Sequence, residues 1–306
     1  MYKYYKLALH TMESFINYSE KVGNNFLLCQ GPGGNTSIKI ENKVLIKKSG
    51  YLLSDSKKKN IFKKEMLEDI KSFYENINDE KKFDKSLSIE TPLHVLLNSK
   101  YIFHYHSIAS ILISALYKKN TLDTKLVKNK ILPVKYIRPG VKLANEIITR
   151  NKNYNFKSFF LYNHGVVIED NNVGNLYKKI LATESIFSEL IDYQKLKVVG
   201  REILNLKIED NKIKNLYPDI EYKNFKDKYL FPDHPVFFPD SFEYDDTHIY
   251  LNKKLNSVES IYFKTLLVLY ILIGNKKIEN YIKKDTGRKL RGSEDEQLRL
   301  RINKWK

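Results

Sequence analysis

The sequence predicts a three-layer α/β/α fold with a mixed or antiparallel central sheet, followed by a smaller C-terminal domain. Segments with helical and strand periodicity alternate through the first two thirds of the chain. Two short strands within 36–48 are joined by a two-residue turn, which predicts a hairpin and argues against a purely parallel sheet. Beyond about residue 199 the composition becomes charged and loop-like, so we expect one domain over 1–200 and a second over 201–306.

The individual elements follow from the spacing of apolar residues and from the turn residues at their ends. Helices are predicted at 4–22, 56–75, from Ser88 onward, and at 109–117, 141–150, 173–195 and 257–273. Strands are predicted at 26–29, 36–40, 43–48, 101–106, 131–137 and 159–167. The apolar run 265–274 is far shorter than the roughly 20 residues of a membrane-spanning helix, so we expect it to be a buried helix.

Composition narrows the class of protein. The chain has 306 residues, of which 42% are hydrophobic, and this is enough for a proper core. Residues 1–6 are rich in tyrosine and lysine without a following apolar block, so we expect no signal or transit peptide and a cytoplasmic location. The single cysteine, Cys29, excludes an internal disulfide and a thiolate-rich zinc site. Any metal would therefore be held by His, Asp or Glu.

The net charge of +17 is large enough to attract anions to the surface. Many lysines lie in short runs such as 57–59 and 276–277, which is typical of solvated helix ends and loops. Nucleic-acid binding would require basic residues clustered with exposed aromatic residues on one surface, whereas the tyrosines here are scattered. We therefore expect neither nucleic acid nor membrane as a partner.

Three histidines form a candidate metal site. Side chains two apart in a strand face the same way, so His104 and His106 project together from the strand at 101–106. A catalytic zinc commonly takes three protein ligands and keeps one position open. His164, before Gly165, is the candidate for the third ligand, whereas His10 and His248 are expected to be packed or surface residues.

A carboxylate and two small-residue loops lie close to these histidines in sequence. Glu90 is placed where it could act as a general base, although it could also be a charge at a helix N-terminus capped by Ser88. The glycine-rich loop 30–37 offers unshielded backbone amides, which suit a phosphate, although a plain glycine turn between strands gives the same pattern. Ser49 and Gly50, after Lys48, provide a second loop of the same kind.

Together these segments resemble the class II aldolase/adducin family in order and approximate spacing. The matching motifs are Gly33-Gly34-Asn35-Thr36-Ser37, Lys48-Ser49-Gly50, Glu90 to His94, His104-Tyr105-His106 and Asn163-His164-Gly165. The resemblance covers roughly 5–195 and includes 136–140. The Ser-Ile-Glu-Thr and Phe-Leu-Tyr-Asn-His-Gly segments are most similar to the aldolase part of bifunctional rhamnulose-phosphate aldolase/dehydrogenase proteins.

The resemblance implies roles for these residues. His104, His106 and His164 would bind a divalent metal, expected to be Zn²⁺, with Glu90 near or on the metal as the acid/base residue. The phosphate of a sugar substrate would contact Gly34, Asn35, Thr36, Ser49, Gly50 and Ser88. The implied reaction is retro-aldol cleavage of a ketose 1-phosphate resembling rhamnulose or fuculose 1-phosphate. It yields dihydroxyacetone phosphate and an aldehyde, and the cation stabilises the enediolate.

The resemblance also implies a homotetramer with sites at subunit interfaces, in which a tyrosine acts as an acid; Tyr136 is the candidate. No glycine-rich dinucleotide fingerprint follows residue 200, so redox chemistry is not expected. The alternatives are epimerisation or decarboxylation of a sugar (acid) phosphate on the same metal platform, and a non-catalytic, adducin-like interaction module. The segment 231–234 is similar to one downstream of the aldolase part in longer relatives, but no chemistry is predicted for it.

Overall fold

The computed structural model describes residues 2–77, 81–238 and 242–303 of the chain. The helices are α1 Tyr2–Gly23, α2 Leu67–Glu75, α3 Thr91–Leu96, α4 Ile108–Leu116, α5 Lys119–Lys128, α6 Val141–Arg150, α7 Val173–Ser188, α8 Tyr193–Asn205, α9 Asp233–Phe237, α10 Ser257–Ile273, α11 Lys284–Arg291 and α12 Glu294–Asn303. The strands are β1 Asn35–Ile40, β2 Lys43–Lys47, β3 Phe62–Met66, β4 Tyr101–Tyr105, β5 Ile131–Val134, β6 Ser158–Leu161, β7 Gly165–Asp170, β8 Lys212–Lys214, β9 Lys228–Tyr229, β10 Glu243–Tyr244, β11 His248–Tyr250 and β12 Ile282–Lys283.

The central sheet has seven strands in the order β3-β2-β1-β4-β7-β6-β5. Every neighbouring pair is antiparallel except β5 and β6, which are parallel. Separate hydrophobic clusters cover its two faces. One is formed with α1, α4, α7, α8 and α10, and the other with α2, α3 and α6. The predicted α/β class with three layers and a mixed sheet is therefore confirmed.

The C-terminal region packs on the first face of this sheet. α10 contacts both α4 and α8, and its apolar residues belong to the same hydrophobic cluster as those of α1 and β4. It begins with a capping box, in which Asn256 accepts from the Glu259 backbone amide and the Glu259 carboxylate accepts from the Asn256 amide. The predicted buried helix is confirmed, whereas a domain division at residue 200 stays a prediction. Within the described residues, no helix is both long enough and apolar enough to cross a bilayer.

Several predicted elements are wrong in the first half of the chain. The segment 26–29 is a turn rather than a strand, because the backbone amides of Leu28 and Cys29 both donate to the carbonyl of Asn25. The predicted helix at 56–75 begins only at Leu67, because the residues before it form β3 and pair with β2 at the edge of the sheet. The remaining helices and strands up to residue 150 lie close to their predicted positions, but α5 was not predicted.

Two long predicted elements are each interrupted. The single strand at 159–167 is a hairpin of β6 and β7, because Asn163 takes a positive φ of 51° and turns the chain. The helix at 173–195 is divided into α7 and α8, since the carboxylate of Asp192 accepts from the backbone amide of Lys195 and starts a new helix. The first interruption places His164 in a turn instead of at a strand end.

Glu184 of α7 is a buried carboxyl group beneath the metal-ligand candidates. Its Oε2 atom accepts a hydrogen bond from Ser107 Oγ at 2.9 Å, and Ser107 is the N-cap of α4 and follows His106 directly. Burial raises the pKa of Glu184 to about 8, although the hydrogen bond from Ser107 opposes this rise. The folded chain therefore holds a proton here that the unfolded chain releases above its ordinary carboxyl pKa.

We expect this group to make the stability of the metal-free protein fall as pH rises. Between about pH 4.5 and 8 the folded state binds the extra proton, so the free energy of unfolding decreases by at most roughly 1.4 kcal/mol per pH unit. Glu184→Gln keeps the hydrogen bonds without the proton and should flatten the fall in Tm over this range, measured in chelator. The exposed Glu189→Gln, at the end of the same helix, should leave it unchanged. An unaltered slope in Glu184→Gln would contradict the assignment.

Candidate metal centre

His104 lies in β4, and His106 lies one residue beyond the end of the strand. Both side chains are on the same side, as the period of two in a strand requires. Their Nε2 atoms are 3.0 Å apart. His104 is fixed by its other ring nitrogen, because Nδ1 lies 3.0 Å from the carbonyl oxygen of Val166 on the neighbouring strand β7. Tyr105, between them, faces the opposite layer, where Glu184 lies. The sheet therefore aims two imidazole Nε2 atoms at one point.

His164 and Glu90 reach the same point from two other segments. His164 lies in the turn between β6 and β7, and its Nε2 is 3.0 Å from Oε1 of Glu90. The same carboxylate oxygen is 3.3 Å from Nε2 of His104. All four residues are buried, and one ligating atom from each lies within 4.8 Å of the others. The predicted three-histidine cluster and its carboxylate are thus brought together.

This donor set fits a divalent metal ion. Three imidazoles and one carboxylate oxygen suit zinc and similar borderline ions, and tetrahedral ligands at 2.0–2.1 Å from a metal are about 3.3 Å from each other. Three of the observed separations, at 3.0 to 3.3 Å, are close to that value, and all of them are within 4.8 Å. Oε1 of Glu90 is buried and accepts no hydrogen bond from the described residues. Because a buried negative charge without partners is unfavourable, a bound cation would stabilise it.

The electrostatics favour the protonation states that ligate metals. Burial alone would raise the pKa of Glu90, but the adjacent His104 and His164 hold it well below its usual range. Burial lowers the pKa of His164 to about 4, although Glu90 opposes this shift. At neutral pH the site therefore holds an ionised carboxylate beside a neutral His164 imidazole. Neutral imidazole and ionised carboxylate are the forms that bind a metal.

Strand β1 supports Glu90 with alternate side chains. Asn35, paired in register with His104, donates its amide to Oε2 of Glu90 at 2.8 Å and also contacts Nε2 of His94. Nδ1 of His94 is 2.8 Å from Ser37 Oγ. Thr36 points to the other face, where its hydroxyl lies 2.8 Å from Ser19 Oγ. Among the predicted phosphate contacts, Thr36 is therefore the one whose side chain is turned away from the metal centre.

The remaining predicted phosphate residues line a cavity of about 20 Å³ beside the cluster; they are Gly34, Asn35, Ser49, Gly50 and Ser88. Ser88 does not cap a helix: its hydroxyl accepts from the Glu90 backbone amide at 3.2 Å, and α3 begins one residue after Glu90. Tyr136 is not among the described residues that line the cavity, although Pro139 from the same connection is. The cavity has room for about one water molecule.

Sequence reasoning missed four charged residues that also line this cavity. Lys47 is buried at the end of β2, and its Nζ donates to the carbonyls of Pro32 at 2.9 Å and Tyr51 at 2.7 Å. Burial lowers the pKa of Lys47 to about 8. The others, Asp233, Glu296 and Arg299, come from the C-terminal region. Of these four residues, only Lys47 lies beside a predicted motif, Ser49-Gly50, and that position in the sequence could have indicated it.

The fold agrees with comparisons to known proteins. Residues 14–191, more than half of the chain, match the family model of the Class II Aldolase and Adducin N-terminal domain. The chain therefore belongs to the class II aldolase and adducin family. A curated relative, the uncharacterized oxidoreductase YuxG of Bacillus subtilis, is 28% identical over 205 residues. That alignment covers 60% of this chain but only 29% of the relative.

One solved structure supports the fold assignment, and a second is similar at a lower score. The N-terminal class II aldolase domain of a conserved protein from Thermoplasma acidophilum aligns with a TM-score of 0.51 and 22% identity, covering 58% of this chain and 92% of that one. L-fuculose-1-phosphate aldolase from Thermus thermophilus aligns with a TM-score of 0.42 and 15% identity, covering 60% and 96%. The first of these likenesses concerns the fold of the N-terminal part.

The cluster makes a direct prediction about metal content. The purified chain should bind one divalent ion, and His106→Ala should lose it, because one of the four ligands disappears. Elemental analysis after dialysis against limiting Zn²⁺ or Co²⁺ measures this stoichiometry. The matched control is His248→Ala, in the small C-terminal sheet, which should retain the wild-type metal content. Equal metal content in both variants would place the metal elsewhere.

Proposed function

We propose that this chain is a divalent-metal-dependent aldolase. It would cleave a ketose 1-phosphate resembling rhamnulose or fuculose 1-phosphate into dihydroxyacetone phosphate and an aldehyde. The observation that carries the proposal is the convergence of three imidazole Nε2 atoms and the Glu90 carboxylate beside a cavity lined by small polar residues. Zn²⁺ is the proposed ion, and the aldolase part of bifunctional rhamnulose-phosphate aldolase/dehydrogenase proteins is the proposed nearest relative.

The proposed cleavage needs a metal ion, a base and a group that returns a proton to carbon. A divalent ion at the cluster would polarise the substrate carbonyl and stabilise the negative charge of the enediolate. In cleavage, the tyrosine that acts as the acid in the reverse direction would take the proton of the hydroxyl on the carbon that becomes the aldehyde. The carbon–carbon bond then breaks, and its electron pair stays on the dihydroxyacetone phosphate fragment. A proton must return to the carbon of the dihydroxyacetone phosphate fragment, and Glu90 is the group proposed to deliver it. Its carboxylate is ionised at neutral pH, so it can accept a proton before donating it.

The phosphate would bind in the cavity beside the histidines. Gly34, Asn35, Ser49, Gly50 and Ser88 offer backbone amides and small polar groups there. The buried ammonium of Lys47 adds a positive charge that favours an anion. The cavity of about 20 Å³ is much smaller than a sugar phosphate, so binding requires one of the covering elements to shift. The elements that cover it include the connection carrying Pro139 and the helix α12.

The assembly belongs to the same proposal. A homotetramer with the site at a subunit interface would let a neighbouring chain supply a tyrosine as the acid that protonates the aldehyde oxygen when the reaction runs in the direction of aldol synthesis. Tyr136 lies in the connection between β5 and α6, from which Pro139 lines the cavity, and it remains the candidate for that role. Its action would be in the neighbouring subunit.

A panel of phosphorylated ketoses tests the reaction. The metal-loaded chain is expected to release dihydroxyacetone phosphate and an aldehyde from a ketose 1-phosphate, detected with coupled reductases. Products that are instead epimers, or release of carbon dioxide from a sugar-acid phosphate, would assign the metal centre to a sibling reaction. Failure of every phosphorylated substrate with fully loaded protein would refute the aldolase proposal.

Glu90→Gln separates metal binding from proton transfer. Three imidazoles remain and the amide oxygen can still face the metal, so metal content should be kept, whereas turnover should fall at least about 100-fold because an amide cannot carry the proton. Turnover and metal content are measured on the same preparation. Glu65→Gln, on the edge strand β3, is the matched control and should retain full turnover. Undiminished turnover in Glu90→Gln would remove Glu90 from the mechanism.

A further inference from the structure

His106 faces a buried carboxylate from the C-terminal region. Its Nδ1 atom lies 3.0 Å from Oδ2 of Asp233, the first residue of α9, and the two residues are 4% and 1% exposed. Asp233 lies well beyond residue 191, where the family match ends. A carboxylate on the ring nitrogen opposite the metal is a common way to orient a histidine ligand. His106 is therefore contacted on Nδ1 by Asp233, a residue outside the part of the chain that matches the family.

The carboxylate of Asp233 is itself held on both oxygens. Oδ1 lies 2.7 Å from Nη2 of Arg299 on α12, and Oδ2 accepts from the hydroxyl of Tyr262 on α10 at 3.0 Å. The guanidinium of Arg299 is further fixed by Glu296 at 2.7 Å and by the ring of Phe237. Contacts on both oxygens therefore give the carboxylate one orientation.

The glycine-rich loop makes room for this pair. A Cβ atom on Gly33 would lie 2.9 Å from Oδ2 of Asp233 and 2.9 Å from Nδ1 of His106. These distances are shorter than the contacts that real Cβ atoms make, so a side chain here would push the two groups apart. The absence of a side chain at Gly33 therefore allows Asp233 and His106 to approach each other, in addition to the backbone amides that the loop offers to the cavity.

We propose that Asp233 is a positioning residue that holds His106 in the tautomer with its proton on Nδ1, so that Nε2 carries the lone pair for the metal. Arg299 fixes which carboxylate oxygen faces the imidazole. The inference rests on the proposed metal centre and adds the C-terminal region to it. Full metal affinity then requires the C-terminal region as far as α12 in addition to the family domain.

An amide at position 233 gives a sharp prediction because of Arg299. A guanidinium has only donors, so an amide there must turn its oxygen toward Arg299 and its NH₂ group toward His106. The Tyr262 hydroxyl can accept from that NH₂ group, because it can donate to the carbonyl of Gln30, which lies 3.0 Å away. The imidazole must then accept on Nδ1 and carry its proton on Nε2, the atom needed by the metal. An isosteric change thereby reverses the tautomer.

The experiment compares metal affinities in the 306-residue chain. Competition with a chromophoric chelator gives the Kd for Zn²⁺, and Asp233→Asn is expected to weaken binding by about 10–100-fold. Adding Arg299→Met to this variant removes the donor that dictates the amide orientation, so the double variant should recover part of the lost affinity. Asp285→Asn, an exposed aspartate on α11, is the matched control and should bind as the wild type does.

Nitrogen-15 NMR of the histidine rings provides a readout in the unaltered protein. In the metal-free wild type, His106, assigned by the loss of its signals in His106→Ala, should carry its proton on Nδ1. A proton on Nε2 in the wild type would overturn the proposal even if Asp233→Asn failed to fold. Wild-type affinity in folded Asp233→Asn would overturn it while leaving the metal centre and the proposed function intact. A wild-type chain that binds no Zn²⁺ at all would instead remove the metal centre, and the proposal with it.

Discussion

The organisation of this molecule depends on a buried negative charge that faces three imidazoles. Glu90 is only 6% exposed, and Oε1, the oxygen turned toward the histidines, accepts no hydrogen bond from the described residues. An ionised carboxylate without such partners is costly in a protein interior. The Nε2 atoms of His164 and His104 lie 3.0 and 3.3 Å from this oxygen and can offer their lone pairs to a cation. A divalent cation at this point would balance the carboxylate and give each nitrogen a partner, which is why the fold converges there.

The surrounding elements can be understood as supports for that point. The pairing of β1 with β4 places Asn35 opposite His104, and Asn35 holds the second carboxylate oxygen of Glu90. On the other face, Glu184 holds Ser107 at the start of α4, directly after His106. From the C-terminal side, Asp233 lies against the back of His106. The sheet, the helix layer and the C-terminal region thus each fix one side of the cluster, so the residues beyond the family match contribute to it as well.

The sequence predicted the parts of this site that local geometry determines. The period of two in a strand was sufficient to place His104 and His106 together, and the same period separates Asn35 and Ser37 from Thr36, although the motif treats these residues as one group. The turn at Asn163 was not predicted, because the residues before and after it are as apolar as those of one continuous strand. Asp233 and Arg299 could not be predicted, because no local pattern links them to a histidine on a strand so distant in sequence. Their meeting depends on how α9 and α12 pack, which is a tertiary property.

The most direct test of the central claim is a crystal structure of the Zn²⁺-loaded chain with anomalous data collected at the zinc edge. A single anomalous peak is expected at the centre of the cluster, about 2.0–2.1 Å from an imidazole nitrogen of each of His104, His106 and His164, with Glu90 on the fourth side. A peak at any other position, or imidazoles that stay in contact with each other without a peak between them in the loaded protein, would contradict the account.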